Sequence, residues 1–206
     1  MAVVANKAGK PEHTRARLLL AHGAGAPMDS DFMSQLAAAL ESRGVEVLRF
    51  EFPYMLQRRT DGVRRPPNPM PALLEAFRQH YQDTGQPLFI GGKSLGGRVA
   101  SLLAEELPVS GLLCFGYPFH PPGKSEKTRT DHLAALHTPT LIIQGTRDPF
   151  GKPEEVSNYI LSEQIQVSWL DTGDHDFKPL KRSGLTQAEL INQAAVLAAE
   201  FIRQHS

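Results

Sequence analysis

Six short runs rich in Val, Ile, Leu and Phe recur along the chain, at 17–21, 45–52, 88–91, 111–116, 140–144 and 167–170. None has a clean polar alternation, so each reads as a strand covered on both faces. Helical patterns fill the gaps. The segment 30–43 carries Phe32, Leu36, Ala39 and Leu40 at helical spacing, with Gly44 as its stop. The segment 71–81 places Leu73, Leu74, Phe77 and Tyr81 along one side, and 95–107 and 153–162 read as two more helices. Thr186 and Glu189 form a capping box for a last helix that runs to about Arg203. Such alternation implies an α/β domain whose parallel sheet is joined by right-handed crossovers.

At 206 residues the chain fits one domain. We expect a flexible N-terminal segment at 1–16 and the folded domain at 17–206. Lys plus Arg balance Asp plus Glu at 22 each, so no global field draws the protein to nucleic acid or an anionic membrane. Cys114 is the only cysteine, which rules out an intramolecular disulfide and points to the cytoplasm. Its apolar surroundings make it a small buried hydrophobe rather than a nucleophile. The first residues are too polar for a secretory signal, and no apolar run approaches the roughly 20 residues of a membrane span.

The stretch "LFIGGKSLGGRVASLL" carries two conflicting signals. Gly92-Lys93-Ser94 ends like a phosphate-binding P-loop. That loop needs a glycine five residues before Gly92, where the chain has Pro87, and strand-like residues lie between. The alternative is G-x-S-x-G, a sharp turn between strand and helix that presents a nucleophilic serine. Leu88-Phe89-Ile90 supplies the strand, Gly92, Gly96 and Gly97 the small neighbours, and Val99, Leu102 and Leu103 a buried helix face. This reading makes Ser94 the nucleophile.

A serine hydroxyl needs a base, and the base needs an orienting acid. In this kind of fold the order is Ser, acid, His, each just beyond a strand. Asp148 follows the run "TLIIQGTRD", and His175 follows "VSWLDTGDH". Asp148 before Pro149 also suits a turn, and Asp131 is another carboxylate candidate. Asp171 and Asp174 lie too near His175 to be its expected partner. "DHD" could suggest a metal site, but no cysteine or spaced histidine cluster completes one. One oxyanion donor should be the Leu95 N–H. The other should come from His22-Gly23-Ala24-Gly25, with Ala24 preferred and Gly25 the alternative.

Two long loops, 53–69 and 117–130, follow strands and should emerge beside the site. The first holds Arg58, Arg59, Arg64 and Arg65, while Lys93 and Arg147 adjoin two of the proposed catalytic residues. Lys93, Arg64, Arg65, Tyr117 and His120 are the candidate substrate-binding residues, with an anionic acyl group as the candidate ligand. His120 is expected at the pocket rim.

Together "HGAGAPMDSDFM", "GGKSLGGR", "GTRDPFG" and "GDHDF" resemble the α/β-hydrolase superfamily, in its small dienelactone-hydrolase-like branch. More narrowly they resemble a family that contains a testis-expressed protein and a scaffold subunit of a histone acetyltransferase complex. The resemblance runs from about Arg17 to Arg203. It implies a compact domain with a mainly parallel six-stranded sheet, helices on both faces and no separate cap domain. It also implies a Ser94–Asp148–His175 triad acting on a small-molecule acyl substrate such as a carboxylic ester, without an organic cofactor or metal. Dienelactone hydrolases proper use a cysteine nucleophile, so their substrate does not carry over. The alternative reading is a non-catalytic module that binds a protein partner.

Overall fold

The computed structural model describes residues 4–5, 16–82 and 88–206. Its strands are β1 (Val4–Ala5), β2 (Arg17–Ala21), β3 (Glu46–Phe50), β4 (Leu88–Lys93), β5 (Gly111–Phe115), β6 (Thr140–Gly145) and β7 (Ile165–Leu170). The helices are α1 (Asp31–Glu41), α2 (Pro53–Asp61), α3 (Met70–His80), α4 (Leu95–Leu103), α5 (Pro153–Val156) and α6 (Gln187–Gln204). The sheet order is β1-β3-β2-β4-β5-β6-β7. All neighbours from β3 to β7 are parallel, which gives the six-stranded parallel sheet expected. The two residues of β1 add an antiparallel edge beside β3 that the sequence reading did not anticipate. Most of the segment expected to be flexible, 1–16, lies outside the described residues.

Side chains on a strand alternate between faces, and here both faces are apolar. Leu18 and Leu20, Leu113 and Phe115, and Leu141 and Ile143 point into one core with α1 and α6. Leu19 and Ala21, Leu112 and Cys114, and Ile142 point into the other, against α3 and α4. Cys114 is fully buried, and burial pushes its thiol well above the ordinary cysteine range. It should therefore resist alkylation in folded protein and react once urea unfolds the chain; rapid reaction in the native state would contradict this placement.

Two expectations are corrected. The segment 53–69 is not wholly a loop, because its first half is α2. Pro53 opens this helix with its fixed φ, and Gly62 closes it in the left-handed region at φ 71°. Arginine and proline density obscured a start and stop signal that the sequence does contain. The helix expected at 153–162 ends after Val156 instead. Asn158 Nδ2 donates to the Glu154 carbonyl at 2.6 Å, competing with helical bonding, and Ile160 is 81% exposed.

The strand order reverses at β2. From β2 the chain crosses to β3 on one side, then returns to β4 on the other. The carboxyl ends of β2 and β4 therefore flank a switch point, where a crevice forms in open α/β sheets.

Candidate active site

Both segments leaving the switch point are tightly constrained. Ser94 links β4 to α4 with φ 49° and ψ −112°, a conformation that L side chains rarely adopt. A Cβ on Gly96 would overlap the carbonyls of Ala21 and His22, so the start of α4 lies directly against the end of β2. Gly96→Ala should destabilise the protein by about 1–3 kcal/mol. A urea midpoint matching that of the parent would contradict the packing.

The structure brings Ser94, Asp148 and His175 together. Asp148 is fully buried beyond β6, and its carboxylate gathers three donors. His175 Nδ1 lies 2.8 Å from Oδ2, Gln144 Nε2 lies 2.9 Å from Oδ2, and the Phe150 N–H donates to Oδ1 at 2.9 Å. A carboxylate only accepts, so Nδ1 carries the hydrogen and Nε2 presents its lone pair. Ser94 Oγ lies 2.9 Å from that Nε2, placed to donate its proton. The Phe150 ring packs on His175 at a centroid distance of 4.3 Å. Asp174 instead organises the loop: its Oδ1 accepts the N–H groups of Asp176 and Lys178.

A second serine and histidine also touch, Ser101 Oγ and His132 Nε2 at 2.8 Å. Ser101 sits inside α4 and donates its hydroxyl hydrogen to the Arg98 carbonyl. It therefore accepts from His132, the reverse of what a nucleophile requires.

Ala24 and Gly25, the oxyanion candidates, line a cleft of about 390 Å³ beside Ser94 and His175. Leu95 opens α4, so its N–H has no partner inside the helix. The opposite side of the His22–Gly25 loop is fastened to α2. Tyr54 Oη donates to the Gly23 and Ala24 carbonyls at 3.2 and 3.0 Å, and Arg58 Nη1 donates to the Gly25 carbonyl at 3.2 Å. His22 is fully buried, and its Nε2 accepts the Phe52 N–H, which leaves Nδ1 to donate to the Gly23 carbonyl at 2.7 Å. Burial holds His22 below the ordinary histidine range, so it serves this loop as a neutral ring. These carbonyl contacts fix the peptide planes on which any oxyanion donor there depends.

The substrate-binding candidates separate. Lys93 lines the cleft, but Arg64, Arg65, Tyr117 and His120 are not among its described lining residues. Arg65 is paired with Asp61. Tyr117 is fully buried and donates its hydroxyl to the Arg129 carbonyl, while His120 is 2% exposed with Nε2 3.5 Å from Glu155. His120 is thus a core residue rather than part of the rim. Arg59 makes a two-pronged pair with the buried Glu51 and also reaches Asp29, and Arg147 donates to the Thr172 carbonyl. Arg64→Ala/Arg65→Ala should leave the preference between neutral and carboxylate-bearing esters unchanged. A shift in their kcat/KM ratio would restore these arginines to the site.

Sequence reasoning missed Gln144, which also accepts the Tyr117 N–H at 2.7 Å and so ties the acid to the neighbouring strand end. A glutamine closing the apolar run "TLIIQ" was the signal available. The roles of Tyr54 and Arg58 have no such signal, because the arginine and proline density of 53–69 hides α2.

A family described as "Alpha/beta hydrolase domain" matches residues 14–203. Among solved structures, a dienelactone hydrolase from Anabaena variabilis superposes with a TM-score of 0.71 at 20% identity, covering 99% of this chain and 97% of that one. A monoacylglycerol lipase from Paleococcus ferrophilus gives 0.71 at 16% identity over 100% of both chains. Est1E from Butyrivibrio proteoclasticus, with ferulic acid bound, gives 0.70 at 14% identity over 98% and 95%. At these identities the three structures share the fold with this chain.

Proposed function

This chain belongs to the Alpha/beta hydrolase domain family, and we propose that it is a serine hydrolase acting on a small carboxylic ester or related acyl substrate. The observation that carries this reading is the unbroken contact chain from Ser94 Oγ through His175 to Asp148, at 2.9 and 2.8 Å. Ser94 Oγ attacks the acyl carbon as its proton passes to His175 Nε2. The negative charge that develops on the carbonyl oxygen is stabilised by the Leu95 N–H and the Ala24 N–H, with Gly25 as the alternative second donor. Collapse expels the alcohol, which takes the proton from His175 and leaves an acyl-Ser94 ester. Water then attacks that ester, giving its proton to His175, and Ser94 leaves with the proton returned. Asp148 stays ionised throughout and supports the imidazolium.

A non-catalytic module needs none of this: neither a strained serine nor a base oriented by a buried carboxylate. Purified protein should hydrolyse p-nitrophenyl acetate, and His175→Ala should remove most of that turnover. Equal rates in the two folded proteins would count against the proposal and favour the module that binds a protein partner.

A further inference from the structure

Lys93 is the variable residue before the serine of the elbow, and its side chain turns into the cleft rather than into solvent. That side chain is 8% exposed. Its Nζ lies 5.5 Å from the centroid of the Phe32 ring, within the range of a cation–π contact. Among the described residues, its one ion pair is with Asp176 at 3.5 Å, and the Asp176 side chain is 56% exposed. A good ammonium–carboxylate hydrogen bond is nearer 2.7–2.9 Å. An ammonium taken this far from water would normally be held more closely, since it loses hydration for each unmatched donor. Burial accordingly lowers the Lys93 pKa, while Asp176 and then Asp148 act against that shift. Asp148, whose carboxylate already accepts from His175, Gln144 and Phe150, makes no ion pair with Lys93.

The rest of the cleft wall points the same way. Phe32, Met33 and Phe150 supply apolar surface, and Ser30 lies at the mouth of α1 beside Phe32. Ser30 Oγ is buried with no hydrogen-bond partner among the described residues, although its own helix would ordinarily use it as a cap. An incoming oxygen could satisfy it after a rotation about χ1.

We infer that Lys93 is a specificity residue that takes a carboxylate of the substrate, displacing Asp176, so that the enzyme prefers esters of short acids bearing a second carboxylate. This rests on the serine hydrolase reading. Asp176 is then a placeholder: it neutralises Lys93 in the free protein and swings into solvent when a better-seated carboxylate arrives. A neutral ester leaves the pair in place and gains nothing from it.

The test uses two esters of equal chain length, p-nitrophenyl hexanoate and the mono-p-nitrophenyl ester of adipic acid, with the full chain. The parent should favour the adipate ester in kcat/KM. Lys93→Met should cut that preference about tenfold to a hundredfold, as loss of a buried charged hydrogen bond would, mainly through KM. Asp176→Asn should raise it, because the internal competitor is gone; this variant decides the matter if Lys93→Met fails to fold. An unchanged preference in Lys93→Met, or a lowered one in Asp176→Asn, would overturn the inference. If the parent turned over neither ester and left Ser94 unlabelled by a fluorophosphonate, the hydrolase reading itself would fail. In that case adipate should still raise the melting temperature of the parent, raise that of Asp176→Asn by more, and leave that of Lys93→Met unchanged. No shift in the parent would then refute the carboxylate site as well.

Discussion

Ser94→Ala should reduce kcat for ester hydrolysis by about 10⁶-fold, the scale seen when a triad nucleophile is removed. In the proposed mechanism the hydroxyl is the attacking atom, and neither Ser101 nor Cys114 replaces it: Ser101 is engaged with the Arg98 carbonyl, and Cys114 is fully buried with its thiol held protonated. Residual rate should reflect only binding and the oxyanion donors. The same position makes a second, independent forecast about stability. Both Ser94→Ala and Ser94→Gly lose the hydrogen bond to His175, but only glycine adopts φ 49° without steric cost. Ser94→Gly should therefore be more stable than Ser94→Ala, by about 1 kcal/mol, in urea unfolding. If alanine were the more stable of the two, the backbone at the elbow would not be strained as described.

Asp148→Asn should lower kcat by about 10⁴-fold. Three N–H donors converge on the carboxylate, from His175, Gln144 and Phe150. An asparagine has one acceptor oxygen and one NH2 group. If its NH2 takes the place of Oδ2, it opposes the donors of Gln144 and His175. His175 then moves its hydrogen to Nε2 and can no longer accept from Ser94. If its NH2 takes the place of Oδ1, it opposes the Phe150 N–H. The His175 tautomer survives, but the imidazolium loses its counter-charge. Either arrangement leaves a buried donor unmatched, so stability should also fall by about 1–3 kcal/mol. Asp174→Asn keeps an oxygen for the Asp176 and Lys178 N–H groups and should cost far less activity. A larger loss from Asp174→Asn than from Asp148→Asn, with both proteins folded, would reverse the acid assignment.

These forecasts draw unequally on what the sequence discloses. The strands of the sheet were legible because a strand apolar on both faces leaves a short unbroken run, as Leu18–Leu20 and Leu141–Ile143 do. Ser94, Asp148 and His175 could be named because each follows such a run, and parallel strands deliver those ends to one edge. The wall of the cleft was less legible. Arg64 and Arg65 follow a strand too, yet α2 intervenes, and where the chain goes after Gly62 depends on tertiary packing. His120 and Tyr117 were placed near the opening on loop position alone, whereas aromatic packing with Phe119 draws Tyr117 into the core. In sequence Gln144 is one polar residue among apolar neighbours; in the fold its Nε2 donates to Asp148 while its Oε1 accepts the Tyr117 N–H. Short-range pattern was enough to pick out three residues that lie in contact; the side chains around them are chosen by contacts remote in sequence.

The most direct test of the central claim is covalent labelling with a fluorophosphonate, followed by mass spectrometry to place the adduct. The phosphonylated serine mimics a tetrahedral intermediate, so its formation draws on the base and on the oxyanion donors together. A single adduct on Ser94 is expected, with none on Ser101 or Ser125 and much slower labelling in folded His175→Ala. An unlabelled Ser94 in well-folded protein, or labelling that His175→Ala leaves as fast as before, would contradict the claim.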